Sequence, residues 1–270
     1  MGRANAGKTT ILQRVCNTTD QPEIFNGKGE KVDVALVQGS LARGYHNIED
    51  ELIFQSNPGF VFHDSCGFEA GSGVQFDKMK KFVMDRANTL QLDERIHAIW
   101  YCIPMTDSHR MVTAGEAKFF NECDTGHVPV IVLLTKADIL ELEAVEELED
   151  QGLSVDDAGR VADIEKDILN NHTAKLKDWL KEKRFPPHDY LSLGGMEQQD
   201  ADCAPLLTCT ANALSEEGLQ QLLISTQQSN LELCIELAIL QSLKKYMNWK
   251  TEMIDPTTLS VMLSQWFPYC

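Results

Sequence analysis

The 270-residue chain is 43% apolar, enough to pack one large domain or a domain with an appendage, and too apolar for a disordered chain. A net charge of −17 argues against extended contacts with nucleic-acid phosphates or anionic lipid. The eight cysteines show no CxxC spacing and no pairing with histidine, and several lie in apolar runs such as "IWYCIP"; they read as reduced core residues of a cytoplasmic protein, not as a disulfide frame or a zinc site.

The first residues, "MGRANAGKTT", put the pattern G-x-x-x-x-G-K-[ST] on residues 2–9. Ile11, Leu12, Val15 and Cys16 then share one helical face, which predicts a helix from residue 8 to about 17. "FNGKGEK" reads as a loop or hairpin, and "IEDELIF" and "FVFHDS" as strands joined by the turn "QSNPG". "FDKMKKFVMDRANTL" has helical spacing, "IHAIWYCIP" is a buried strand, "TAGEAKFFNEC" a short helix and "VPVIVLLTKAD" a second buried strand. Both buried runs are too short to cross a bilayer, and neither a secretory signal nor a lipidation box is present, so no membrane span is expected. Residues 141–183 are helical and begin with the acidic run "ELEAVEELED", a solvated helix face. Residues 193–205 read as a loop insertion, "PLLTCTA" as a last short strand, and residues 215–246 as helices. Strands alternating with helices predict an α/β fold with a mostly parallel sheet covered on both faces. One domain is expected over residues 1–247, followed by a tail, 248–270, to which no role is assigned.

Four segments carry chemistry. In "GRANAGKT", the backbone around Gly2, Asn5, Ala6, Gly7, Lys8, Thr9 and Thr10 can turn its N–H groups toward phosphate oxygens. Lys8 adds a point charge for the outer phosphates, and the Thr9 hydroxyl can ligate Mg²⁺. In "FVFHDSCG", a strand delivers Asp64 to hold a Mg²⁺ water, and the N–H of Gly67 can sense a terminal phosphate. In "LLTKAD", Thr135 ends a strand, the stem of Lys136 can cover a base, and Asp138 can accept the N1–H and N2–H₂ of guanine. Adenine cannot satisfy that fork, and an unpaired carboxylate is costly, which gives base selectivity. Alone, Lys-Ala-Asp reads as a helix cap before it reads as a base site. In "LLTCTAN", a strand ending at Thr210 and Ala211 can aim a backbone N–H at guanine O6. Together, and in this order, the segments fit the C-terminal edge of a parallel sheet, where such folds bind ligands.

These motifs, with "RGYHNIEDELIFQSNPGFVFHDSCGFEAGS" and "STQQSNLELCIELA", resemble P-loop GTPases of the TrmE–Era–septin-like group, and fungal G-domain proteins among them, over about residues 1–245. The resemblance implies a P-loop NTPase fold, GTP and GDP as ligands, Mg²⁺, slow hydrolysis and a molecular-switch role with a protein effector or regulator. It leaves room for a homodimer across the nucleotide. It implies catalytic roles for Lys8 and for Asn5, which in some Era-like proteins helps to bind K⁺; a loop-stabilising role for Asn5 is the equal alternative. Phe68 stands where many small GTPases have a water-orienting glutamine, so turnover must draw on another residue, a partner or a cation. Ser40 is the candidate third Mg²⁺ ligand, while His63 reads as a strand residue before a catalytic base. The resemblance also implies a central strand ahead of Gly2, flanked by "FVFHDS" and "IHAIWYC", that this sequence lacks. Each backbone group left buried and unpaired by that lack costs about 1–3 kcal/mol. The alternative function is therefore a non-catalytic pseudo-GTPase that binds a basic partner through its acidic helix; a third, an adenine-nucleotide ATPase or kinase, is disfavoured by Asp138.

Overall fold

A computed structural model describes residues 1–32, 47–65, 67, 73–89, 91, 94–110, 112–155, 157–198 and 200–214, with the single helical positions 235, 239 and 243. In chain order the elements are α1 (Lys8–Val15), β1 (Glu23–Phe25), β2 (Glu51–Ile53), β3 (Val61–Phe62), α2 (Gly73–Ala87), β4 (Ile99–Pro104), α3 (Ala114–Glu122), β5 (Val130–Thr135), α4 (Leu140–Asp150), α5 (Ala158–Leu180), β6 (Asp189–Leu193) and α6 (Ala204–Ala213). A 3₁₀ turn, Met105–Arg110, follows β4.

The apolar run "VIVLLT" becomes β5, every residue of which is buried, because both sheet faces are covered. It is the middle of a three-stranded parallel sheet, β4-β5-β6. Period-two alternation divides its side chains between two cores. Val130, Val132 and Leu134 pack with Tyr101 and Ile103 of β4 against Phe76 and Val83 of α2, Phe119 and Phe120 of α3, and Leu176 and Leu180 of α5. Ile131 and Leu133 face Ile11 and Val15 of α1 and Leu206, Leu207 and Ala211 of α6. Each such side chain contributes about 1.5–3 kcal/mol on burial. The expected α/β architecture, a parallel sheet with helices on both faces, is therefore present. Among the described residues, no helix is long and apolar enough to cross a membrane.

Three expectations need correction. First, "FVFHDS" does not join the parallel sheet. Its β3 pairs with β2, and β2 with β1, in a separate three-stranded antiparallel sheet. That sheet reaches the parallel one through aromatic contact, with Phe62 stacked on Phe60 and 6.1 Å from Trp100. Second, "PLLTCTA" is α6, not a strand. Pro205 stands in its first turn and the Asp202 carboxylate accepts the Ala204 N–H at 2.7 Å, both helix-start features. Third, the sequence reading passes over a strand, "DYLSL", which ends at Leu193, where the stretch read as a loop begins. It pairs with β5 in parallel from Ile131–Asp189 to Thr135–Leu193. "FNGKGEK" does form a hairpin turn, closed by the Asn26 N–H to the Glu30 carbonyl at 2.9 Å.

Ahead of α1, a short extended stretch takes the side of β4 opposite β5. Gly2 forms a parallel bridge with Cys102. The Met1 ammonium donates to the Trp100 carbonyl at 2.7 Å, and the Cys102 N–H donates to the Met1 carbonyl at 2.9 Å. Beyond these residues a cavity of about 680 Å³, lined by Leu12, Phe62, His63, Ile99 and Trp100, lies between β3 and β4.

Candidate functional site

The loop of residues 2–7 is shaped by three left-handed or near-left-handed positions, Gly2 (φ 126°), Asn5 (φ 56°) and Gly7 (φ 74°). At Gly2 the requirement for glycine is steric as well, because a Cβ would lie 2.1 Å from the Cys102 carbonyl oxygen. Asparagine tolerates a positive φ better than most residues, which gives Asn5 a backbone reason to be there. Gly7 turns the chain into α1, whose first turn has no side-chain cap, so its N–H groups border the loop. Ala6 is fully buried, Thr10 half-buried and Thr9 exposed. The Lys8 ammonium folds back over the loop and donates to the Arg3 carbonyl at 2.8 Å.

Arg3 points away from the loop into the protein. Its guanidinium donates to the buried Glu116 carboxylate of α3 at 3.0 and 3.3 Å, and to the Arg110 carbonyl at 2.7 Å. Glu116 also accepts the Thr113 N–H at 2.6 Å and the Thr113 hydroxyl, closing the capping box that starts α3.

Asp64 follows β3 and is 6% exposed, with Ser65 beside it buried. The charges of Asp64 and Lys8 both act on the Met1 ammonium, whose proton affinity burial pushes down. Gly67 sits directly on the loop: a Cβ there would lie 2.2 Å from the Ala4 nitrogen. The D-x-x-G segment and the phosphate-type loop are thus in backbone contact. His63 has another task. Its Nδ1 lies 3.1 Å from the Ile48 carbonyl and 3.0 Å from that of Asp50, so an Nδ1–H tautomer fastens β3 to the segment before β2.

At the end of β5, Thr135 is buried, and its Oγ1 has no protein partner among the described residues. Lys136 is exposed and adopts φ 56°, which turns the chain so that Asp138 stands at the sheet edge. The Gly195 N–H, just beyond β6, donates to Asp138 Oδ1 at 2.8 Å. Gly194 packs so close that a Cβ would lie 3.1 Å from the Asp138 nitrogen. The same loop is fastened to α1, whose Arg14 donates to the Met196 carbonyl at 2.9 Å and the Glu197 carbonyl at 3.1 Å.

The structure therefore gathers Gly2, Asn5, Ala6, Gly7, Lys8, Thr9, Asp64 and Gly67 around one loop, and Thr135, Lys136 and Asp138 around the ends of β5 and β6. It removes Thr210 and Ala211 from the strand edge where they were expected. Within α6, the Thr210 hydroxyl accepts the Trp100 indole N–H at 3.0 Å and donates to the Leu206 carbonyl at 2.7 Å, and Ala211 is in the core. Sequence reading missed Gly194, Gly195, Arg14 and Glu116. The alternating "YLSL" closed by "GG" carried the signal for the first two; nothing local marked the others. Ser40 and Phe68 lie outside the described residues. Thr9 and Asp64 offer hydroxyl and carboxylate oxygens, a donor set suited to a hard divalent cation. Among the described residues, no group of three or more His, Cys, Asp or Glu side chains is arranged to hold a metal. Comparison of the chain with protein-family models, curated proteins and solved structures found no match.

Proposed function

We propose that the chain is a guanine-nucleotide-binding protein with a P-loop NTPase fold, acting as a switch with slow, partner-assisted or cation-assisted hydrolysis of GTP to GDP and phosphate. The observation that carries this reading is the loop after β6. It bonds Asp138 through Gly195 and α1 through Arg14, so the base-type and phosphate-type motifs belong to one framework. Asp138 would accept the two guanine donors, with the Gly194–Gly195 backbone, in place of Thr210 and Ala211, beside the base. The loop N–H groups and Lys8 would hold the phosphates, Lys8 giving up its bond to the Arg3 carbonyl to do so. Thr9 and Asp64 are the residues that would hold Mg²⁺, which when bound neutralises charge between the outer phosphates. Phe68 cannot orient a water, which is why turnover is expected to be slow without a partner or K⁺.

Titration with a fluorescent GDP analogue, with ATP as competitor, tests binding; phosphate release with and without K⁺ tests turnover. Micromolar GDP binding that Lys8→Ala abolishes, with ATP at least about 100-fold weaker, is expected. Equal displacement by ATP would move the protein to the adenine-nucleotide class. Binding with no phosphate release under either salt would leave a nucleotide-dependent interaction protein.

A further inference from the structure

The phosphate-type loop has a support that none of its motif residues supplies. We propose that Arg3 and Glu116 are a positioning pair through which α3 sets the shape of that loop; their effect on nucleotide rests on the reading above, their effect on the loop does not. Arg3 is the residue directly after Gly2, and both its main chain and its side chain are held. Its N–H donates to the Cys102 carbonyl at 3.4 Å, its carbonyl accepts Lys8 Nζ at 2.8 Å, and its guanidinium takes Glu116 and the Arg110 carbonyl.

Both charges are buried, with side-chain exposures of 7% and 1%. A pair so placed must be satisfied as a unit, because loss of either partner strands the other in a dry interior. The fork of the guanidinium fixes direction as well as distance, which a lysine could not do. Glu116 in turn cannot follow a moving loop, since its other contacts are the N–H and hydroxyl of Thr113 at the start of α3. The Arg110 carbonyl belongs to the turn that leaves β4, so the clamp joins that turn, the first turn of α3 and the loop. Lys8 is the consequence that matters chemically. Its ammonium is parked on the Arg3 carbonyl, so the place from which it meets a phosphate is set by where Arg3 is held.

The test uses the full chain and the variants Arg3→Lys, Arg3→Met, Glu116→Gln, the Arg3→Met/Glu116→Gln double, and Thr125→Val as a control away from the pair. Thr125→Val removes a buried hydrogen bond to the Val128 carbonyl without touching Arg3 or Glu116, so it reports a loss of stability alone. Hydrogen exchange of the ligand-free chain is read at the amides of residues 3–9, and affinity with the fluorescent GDP analogue. Exchange in the loop is expected to rise at least tenfold in Arg3→Lys and Glu116→Gln and to stay unchanged in Thr125→Val. GDP affinity is expected to fall about tenfold to a hundredfold in each single variant of Arg3 or Glu116, and no further in the double than in the worse single. Arg3→Lys is the mildest change and keeps the experiment decisive where Arg3→Met or Glu116→Gln fails to fold. Loop exchange that does not respond, or responds equally in Thr125→Val, overturns the proposal. A wild-type chain that binds no GDP while its loop exchange responds as stated supports the pair and overturns the nucleotide reading.

Discussion

The two ends of the candidate site are built differently. The phosphate-type end is fastened from inside, by glycine backbones pressed on neighbouring backbone at Gly2 and Gly67 and by the buried Arg3–Glu116 pair. The base-type end is fastened from outside, by hydrogen bonds between exposed or half-exposed groups: Asp138 to Gly195, and Arg14 to the Met196 and Glu197 carbonyls. Steric fit and buried charge cannot be altered without altering the fold. An exposed bond to a backbone N–H can be. Shape at the first end should therefore be inseparable from stability, whereas selectivity at the second should be separable from it.

The largest effect is expected at the glycines. Gly2→Ala places a Cβ 2.1 Å from the Cys102 oxygen at a φ of 126°, and Gly67→Ala places one 2.2 Å from the Ala4 nitrogen. Backbone on both sides has to move, so each should cost about 3 kcal/mol or more. Chemical denaturation should show the loss without any ligand. A Gly67→Ala chain with wild-type stability would mean that the D-x-x-G segment does not rest on the loop.

Thr210 gives a smaller effect by a different route. Thr210→Val keeps the shape in α6 but strands the Trp100 indole N–H, which donates to that hydroxyl at 3.0 Å. A loss of about 1–2 kcal/mol is expected, with GDP affinity unchanged, because the residue belongs to the α6–β4 packing and not to the base edge. A selective loss of guanine affinity would restore the strand-edge role that the sequence suggested.

The contrast between Thr210 and Asp138 also shows what the sequence could reveal. "VPVIVLLTKAD" is legible because its apolar run is rich in β-branched residues, too short for a buried helix and ended by polar residues, which together favour a strand buried on both faces. "PLLTCTA" is a short apolar run with β-branched residues, for which periodicity does not separate strand from helix; Pro205 and Asp202 at its start were the deciding features. "FVFHDS" was recognised as a strand but assigned to the wrong sheet, since strand partners depend on packing distant in sequence. The Arg3–Glu116 pair, 113 residues apart, was invisible for the same reason. The phosphate-type residues were legible because a contiguous loop carries its geometry in its own glycines.

A pH effect should mark the end of β3, where His63 leads into Asp64. Burial, and then the charge of Arg86, pushes the His63 imidazole below its ordinary 6.5, against the opposing pull of the Asp50 and Ile48 carbonyls and Glu51. Its ring also lies edge-on to Phe82 at 4.9 Å. A base whose folded pKa is depressed binds fewer protons in the folded chain than in the unfolded one over the interval between the two values. Stability from this residue is therefore whole above pH 6.5 and is lost as pH falls from 6.5 through the folded value. His63→Gln keeps a donor for the two carbonyls and should flatten that part of the Tm-against-pH curve; an unchanged slope would show that another group titrates.

The smallest change in stability belongs to Asp138. Asp138→Ala removes one acceptor, for the Gly195 N–H, at an exposed position where water can replace it. The expected cost is within about 0.5–1 kcal/mol, much less than at Gly67. Selectivity should respond in the opposite proportion. If the protein binds guanine nucleotide as proposed, the carboxylate is what matches the paired donors of guanine, so a preference for GDP over ADP should fall by at least about 100-fold in this variant. Measured side by side, unfolding free energy and the GDP-to-ADP affinity ratio separate two origins of tight binding. A large stability loss with an unchanged ratio would make Asp138 a fastening for the β6 loop and nothing more. Intact stability with a collapsed ratio would make it the reader of the base.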